Sequence, residues 1–235
     1  MAEWRFLRGW SEQELRRQLS AMQLLERNFD QQGLEEMSDE KGWRAYGSRA
    51  LVAREPPGPP LDDGPFRLGC NAISNYRFSD PTIVTSHFDP EAPLEGRRMA
   101  LEIKVLGLRY LCGVVVGATR SDEANGRSTF GFRYDTLEGH IEAGAEWFLL
   151  SKSHETGEIR FRVHARWREG EFPNWWSRVG FALLAERYQR RWHRRAHGRL
   201  QYFMAHPEAV ARPRGQRLAH EGPDVVFYFG ELRED

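Results

Sequence analysis

The stretch from Phe130 to Trp167, and the basic helical pattern that follows it from Pro173 to Phe203, constrain this chain more than any other feature. Phe130, Phe132 and Tyr134 fall on one face of a first alternating segment. In the next, Glu146, Phe148 and Leu150 oppose Trp147 and Leu149. In the last, Ile159, Phe161, Val163, Ala165 and Trp167 alternate with Arg160, Arg162, His164, Arg166 and Arg168. A period of two marks strands with one buried face, and His154-Glu155-Thr156-Gly157 supplies a turn between the last two. Then the period changes. Val179, Leu183 or Leu184, Tyr188 and Trp192 recur at helical spacing and continue toward Leu200 and Phe203, with Arg187, Arg190, Arg191, Arg194, Arg195 and Arg199 between them. A long helix with one apolar stripe needs a surface to cover, and the strands just before it provide one.

The remaining elements extend that picture. Ser11-Glu12-Gln13-Glu14 is a capping box, and Leu15, Leu19, Met22 and Leu25 behind it predict a helix over 12–28. Ala45 to Glu55 reads as a strand, ended by Pro56-Pro57-Gly58-Pro59-Pro60. Phe66, Cys70 and Ile73 form the apolar face of a short helix ending before Asp80-Pro81. Thr82–Phe88, Arg98–Val105 and Leu108–Thr119 read as strands; in the second, Met99, Leu101, Ile103 and Val105 face away from Ala100, Glu102 and Lys104. Ser121 to Gly126 is turn chemistry, and Val225 to Phe229 offers an extra edge strand. The expectation is an α+β fold in which a curved antiparallel sheet of about seven strands wraps a long C-terminal helix. Its divisions would be an N-terminal helical extension over 1–40, the main domain over 41–204 and a tail over 205–235.

Composition narrows the function classes. The 34 basic residues balance 34 acidic ones, so the molecule as a whole has no field that steers it to nucleic acid. Cys70 and Cys112 stand in no metal-ligand spacing and read as buried thiols. The longest apolar run, Tyr110 to Ala118, has roughly half the ~20 residues a membrane helix requires. The N-terminus lacks the apolar core of a secretory signal, which makes a cytoplasmic protein the expectation. Nothing in the sequence fixes an oligomeric state, and no cofactor motif is present.

The segment Phe130-Gly131-Phe132-Arg133-Tyr134-Asp135-Thr136-Leu137-Glu138-Gly139-His140-Ile141-Glu142-Ala143-Gly144-Ala145-Glu146-Trp147-Phe148 resembles the signature of a widespread bacterial and plant family catalogued as a domain of unknown function. Arg187-Tyr188-Gln189-Arg190-Arg191-Trp192 is similar to that family's basic C-terminal helix. The family is grouped with the START-like or Bet v 1-like helix-grip superfamily (SRPBCC). The resemblance implies a cavity between sheet and helix. Superfamily relatives bind lipids, steroids, polyketides or plant hormones, and a minority are cyclases, hydrolases or other enzymes; a shared fold does not transfer any of these roles.

Three readings of candidate residues follow. A binding cavity would take its apolar wall from Phe132, Tyr134, Trp147, Phe161, Trp167, Tyr188 and Trp192, with Glu102, Arg109 or the Tyr134 hydroxyl orienting a small apolar or amphipathic ligand. An enzyme would draw on His140, Glu142 and Glu146, because a carboxylate beside an imidazole makes a general base; the alternative is that His140 and Glu142 stabilise a hairpin turn. A metal centre would need His140, Glu142 and His164 or Glu102 to converge, with no metalloprotease-type helical motif to anchor it. Finally, the helical arginines and the Arg160, Arg162, Arg166 row would share one surface, with Trp175 and Trp176 nearby, for peripheral contact with an anionic partner or membrane. The alternative there is an ordinary solvated face.

Overall fold

Alternation becomes a single antiparallel sheet in the computed structural model, which describes residues 3–30, 42–172, 175–208 and 222–229, the side chains of 175–184 excepted. The strands are β1 (Glu3–Phe6), β2 (Arg44–Arg54), β3 (Val84–His87), β4 (Arg98–Val105), β5 (Leu108–Ala124), β6 (Arg127–Thr136), β7 (Glu142–Ser153), β8 (Glu158–Glu169) and β9 (Val226–Phe229). The helices are α1 (Glu12–Met22), α2 (Pro65–Ser74) and α3 (Trp175–Ala205). The strand order is β3-β4-β5-β6-β7-β8-β2-β9, and β1 pairs with β5. This is the expected helix-grip α+β fold, a curved sheet holding a long C-terminal helix. Register shifts within β2 and β5 mark bulges, which add local bend and twist to a sheet that must curl.

Nine strands replace the expected seven or so. β1 has only four residues, too few for a period to register. It bonds to β5 along Leu108–Leu111, where β6 no longer reaches. β9 pairs with β2. The turn expected over 121–126 narrows to two residues, Asn125 and Gly126, with φ of 51° and 69°. Such a turn matches the twist of its flanking strands, so Ser121 to Ala124 stay in β5.

The helix α3 lies on the concave face. Trp192, Ala196, Leu200, Phe203 and Met204 pack there with Ala50, Phe148, Phe161 and Val163. On the opposite face α1 buries Met22 against Ala100 and Leu111, with Leu15, Leu19 and Leu25 alongside. Its capping box is formed: the Ser11 N–H donates to Glu14 Oε2 at 2.7 Å, and the Glu14 N–H to Ser11 Oγ at 3.3 Å. The helix stops at Met22 rather than 28 because the chain leaves for the end of β6. There Arg27 Nε donates to Asp135 at 2.7 Å and the Asn28 N–H to the Thr136 carbonyl.

At one end of the concave face Lys152 and Glu55, both fully buried as side chains, pair at 2.6 Å. Lys152 Nζ also donates to the Pro59 carbonyl at 2.8 Å, and the backbone N–H groups of Leu61 and Phe66 donate to Glu55. The pair thus ties the proline-rich loop and the start of α2 to β7. Burial opposes ionisation of Glu55, but Lys152 and the two N–H groups hold its carboxyl below the usual range.

The two arginine rows do not share a surface, because the sheet separates them. Arg160 and Arg162 alternate with core-facing Phe161 and Val163 and so face away from α3. On the helix, Arg190 and Arg194 lie over the Phe227 ring of β9, and Arg195 pairs with Asp80. Those cations are occupied within the molecule. The side chains of Trp175, Trp176, Val179, Leu183 and Leu184 lie outside the described residues.

Candidate ligand-binding cavity

Beyond the sealed end, the sheet and α3 diverge around a cavity of about 290 Å³. Leu101 and Ile103 of β4, Ala145 of β7, Ala165 and Trp167 of β8, and Tyr188 and Trp192 of α3 form part of its wall. Trp192 is fixed by its Nε1, which donates to Ser79 Oγ at 2.9 Å.

The two acidic groups of the wall come from β7. Its pairing with β6 ends at Ala145, yet the strand continues to Glu142 on β8 alone. The Thr136 hydroxyl bridges the gap, accepting from the Gly144 N–H at 2.8 Å and bonding the Asn28 side chain at 2.6 Å. Residues expected in a turn are therefore strand. Because 142 and 146 are an even number apart, both acids point to the concave face and both line the cavity. Glu146 Oε2 accepts from the Tyr134 hydroxyl at 2.5 Å, and Glu142 Oε1 accepts from Gln189 Nε2 at 3.2 Å. Neither acid has a lysine or arginine partner among the described residues of the cavity wall. Burial pushes Glu142 up to about 7, partly offset by Gln189. Burial likewise pushes Glu146 up to about 8; the Tyr134 hydrogen bond opposes the shift and the neighbouring Glu142 adds to it.

Behind Glu146 a buried polar chain runs into the core. His193 Nε2 faces Glu146 Oε1 at 3.8 Å. Ser48 Oγ, wholly buried on β2, lies 2.6 Å from His193 Nδ1 and 2.8 Å from His197 Nε2. Proton positions follow from accounting. His197 Nδ1 has no partner among the described residues, and a buried bare acceptor costs less than a buried bare donor. So His197 Nε2–H donates to Ser48, the Ser48 hydroxyl donates to His193 Nδ1, and His193 turns an N–H toward Glu146. Burial holds both imidazoles neutral, His197 at about 3 and His193 well below its ordinary value.

His140 occupies a different role from the one its neighbours suggest. Its Nδ1 accepts the backbone N–H of Glu142 at 2.9 Å, and burial lowers it to about 4. The ring braces the entry to β7, the turn-stabilising alternative, and does not face the Glu142 carboxylate as a base would. His140 also lines the cavity, as do Tyr134, Trp167, Tyr188 and Trp192.

Four other expected ligand residues lie elsewhere. Phe132 and Phe161 are core, their rings packed on Phe148 and Phe78; wall and core share the inward face of a strand, and only position along it separates them. Trp147 faces the other side of β7, beneath the Arg133 guanidinium. Glu102 is on the face of β4 away from the cavity, bonded to Arg109 at 2.5 Å with Lys104 at 3.3 Å. Burial resists its ionisation, but His87, Arg109 and Lys104 hold it down at about 2. Arg109 is thereby spent on Glu102. No group of three or more His, Cys, Asp or Glu among the described residues could hold a metal ion.

Sequence reasoning passed over Tyr46, Tyr76, Gln189 and His193 of the wall. One signal was available: His193 and His197 are four apart, hence on one helix face. Tyr76 had none. It ends α2 in the left-handed conformation, φ 53°, where glycine is usual, with the Arg77 N–H bonded to the Ala72 carbonyl and the Tyr76 N–H to that of Ile73. That end aims the Tyr76 ring between sheet and α3, 5.8 Å from Phe148.

With this geometry in place, the family model for a domain of unknown function, DUF1990, matches residues 30–228. The chain belongs to the DUF1990 family. The match takes in every cavity-lining residue named above. No curated protein matches the chain. Similar solved structures include Ara h 8.0201, 11% identical over 70% of this chain and 99% of that one, with a TM-score of 0.37. Ginseng major latex-like protein 151 from Panax ginseng is 13% identical over 65% of this chain and 98% of its own, TM-score 0.32. An uncharacterized protein from Rhizobium leguminosarum is 12% identical over 69% and 97%, TM-score 0.32. The helix-grip assignment rests on strand order and the seat of α3. Among the described residues no helix is long and apolar enough to cross a membrane.

Proposed function

We propose that this DUF1990 protein binds a small, largely apolar molecule between its sheet and α3. The observation that carries the reading is the 290 Å³ cavity itself, with an apolar wall and its polar groups gathered on β7 and its neighbours. Its size is at the lower end of the ~300–1,000 Å³ range of small-molecule sites, which suits a compact ligand of one or two rings or a short chain. Aromatic and aliphatic burial would supply affinity; Glu142, Glu146 and Tyr134 would orient the ligand's polar group.

The test is an apolar fluorescent dye titrated into the wild type and into Ala165→Trp, which places an indole in the wall. One saturable site in the wild type, lost in the variant, supports the reading. Native mass spectrometry of freshly expressed protein should in parallel show a retained small molecule. No saturable dye binding and a clean apo mass would overturn it.

A second reading keeps the cavity and adds proton transfer. Glu142 and Glu146, raised to about 7 and about 8, would be its acid and base; His140, committed to the backbone, would position Glu142. Glu142→Gln and Glu146→Gln would then abolish turnover of a candidate substrate while dye binding persists, and unchanged turnover would remove the reading.

A further inference from the structure

The cavity is chemically one-sided. The chain carries 34 lysines and arginines, yet among the described residues none lines the cavity, while two glutamates do. Both glutamates project from one face of β7, and their neighbours on other elements are neutral. These are Tyr134 from β6, Tyr76 from the end of α2, Tyr46 from β2, and Gln189 and His193 from α3. Burial costs a carboxylate several kcal/mol unless something compensates it, and no described residue of the wall supplies a compensating charge.

Two further observations say that the compensating group comes from outside. Tyr46 and Tyr76 line the cavity at 5% and 4% exposure, and neither hydroxyl has a hydrogen-bond partner among the described residues. Buried polar atoms normally have one. The wall around them is also aromatic, with Tyr134, Trp167, Tyr188 and Trp192, and the negative faces of such rings favour a cation over an anion.

Resting on the binding function proposed above, we infer that the ligand is an apolar molecule carrying a basic nitrogen, seated as an ammonium group against Glu142 and Glu146. An alcohol of the same shape could use the hydrogen bonds but would offer no positive charge to favour ionisation of the acids. A carboxylate of that shape would add a third acid to the site. The same complementarity excludes anionic lipids as preferred occupants of this cavity.

The experiment uses three probes with one ring system: 1-naphthylmethylamine, 1-naphthylmethanol and 1-naphthoate, titrated calorimetrically into the full-length wild type at neutral pH. The amine should bind about ten-fold or more tighter than the alcohol, the increment of a charge-assisted hydrogen bond, and the naphthoate should bind weakest. Glu146→Gln, which keeps an acceptor for Tyr134, should shrink the amine's advantage over the alcohol by about ten-fold; Glu142→Gln should shrink it as well. Equal affinity for amine and alcohol, or an advantage unchanged in both variants, overturns the inference and leaves the cavity reading standing. If none of the probes binds, the cavity reading falls and takes this inference with it. The ranking in the wild type decides the matter even if a variant fails to fold.

Discussion

Two ends of one strand place buried charge in opposite circumstances. At the C-terminal end of β7, Lys152 is wholly buried and paired with Glu55 at 2.6 Å. At its N-terminal end, Glu142 and Glu146 are buried with hydrogen bonds but, among the described residues, no cation. The first carboxylate is held below its usual range and the other two well above it. Between them Phe148 and Leu150 continue the same inward row as plain core. A buried acid that finds its partner inside the chain closes a structure. Acids without a charged partner among the described residues lie where the proposed ligand would sit.

The sharpest way to break that contrast is Lys152→Met. It leaves Glu55 buried beside the proline-rich loop with no countercharge, so urea denaturation should show a loss of about 3–5 kcal/mol. A loss under about 1 kcal/mol would mean the pair is not what seals that end.

Ser48→Ala probes the third buried polar group, the hydroxyl shared by His193 and His197. It strands one imidazole donor and should cost about 1–3 kcal/mol. Dye affinity should change as well, because the N–H turned toward Glu146 is then no longer fixed; unaltered stability would show that the chain from Ser48 to Glu146 is not a connected network.

Glu146→Gln should move stability the other way. The folded carboxyl titrates at about 8 against 4.5 when unfolded, so the native state holds the extra proton between those values. The contribution of Glu146 to wild-type stability therefore declines as pH rises through that window and levels off above it. The variant escapes this decline and should be more stable at pH 8.5 by on the order of 2 kcal/mol, with little difference at pH 4. Equal melts at pH 8.5 would return Glu146 to an ordinary, solvated acid.

The histidines set the acid limb. His140 and His164 are lowered to about 4 and His197 to about 3, chiefly by burial, with Arg166 and Arg162 adding to the shift of His164. Unfolded imidazoles take up protons below about 6.5 while the native ones do not. The histidines' contribution to stability should fall as pH drops from about 6.5 toward 4; in a variant carrying both Glu142→Gln and Glu146→Gln, which removes the opposing carboxyl contributions, the melting temperature should be lower at pH 5 than at pH 7. The smallest effect belongs to the exposed Arg16–Glu12 pair of α1, where Arg16→Ala should change stability by less than about 0.5 kcal/mol.

Much of the architecture was legible before any coordinates. The alternation of Ile159 to Trp167 and of Met99 to Val105 named the inward faces correctly, and the capping box started α1 at its observed residue. Four cavity aromatics, Tyr134, Trp167, Tyr188 and Trp192, were legible too. The misses share a cause. Phe132 and Phe161 satisfy the same alternation as Trp167, but height along a curved sheet decides which inward ring meets α3 and which meets open space. Glu102 looked like a polar anchor only while its outward partners Arg109 and Lys104 were unseen. His140 and Glu142 were adjacent in sequence, yet the backbone N–H between them claimed the imidazole.

Periodicity, capping and turn chemistry are properties of neighbouring residues, so the sequence by itself determined the strands, the final helix and the face each would bury. Whether a buried carboxyl has a cation beside it depends on residues far apart in the chain. Glu55 of the chain after β2 meets Lys152 of β7, and among the described residues Glu142 and Glu146 face Gln189, Tyr134 and His193. The closing of the sheet over α3 made that decision, because only there does burial set the cost of a charge and geometry determine what can offset it.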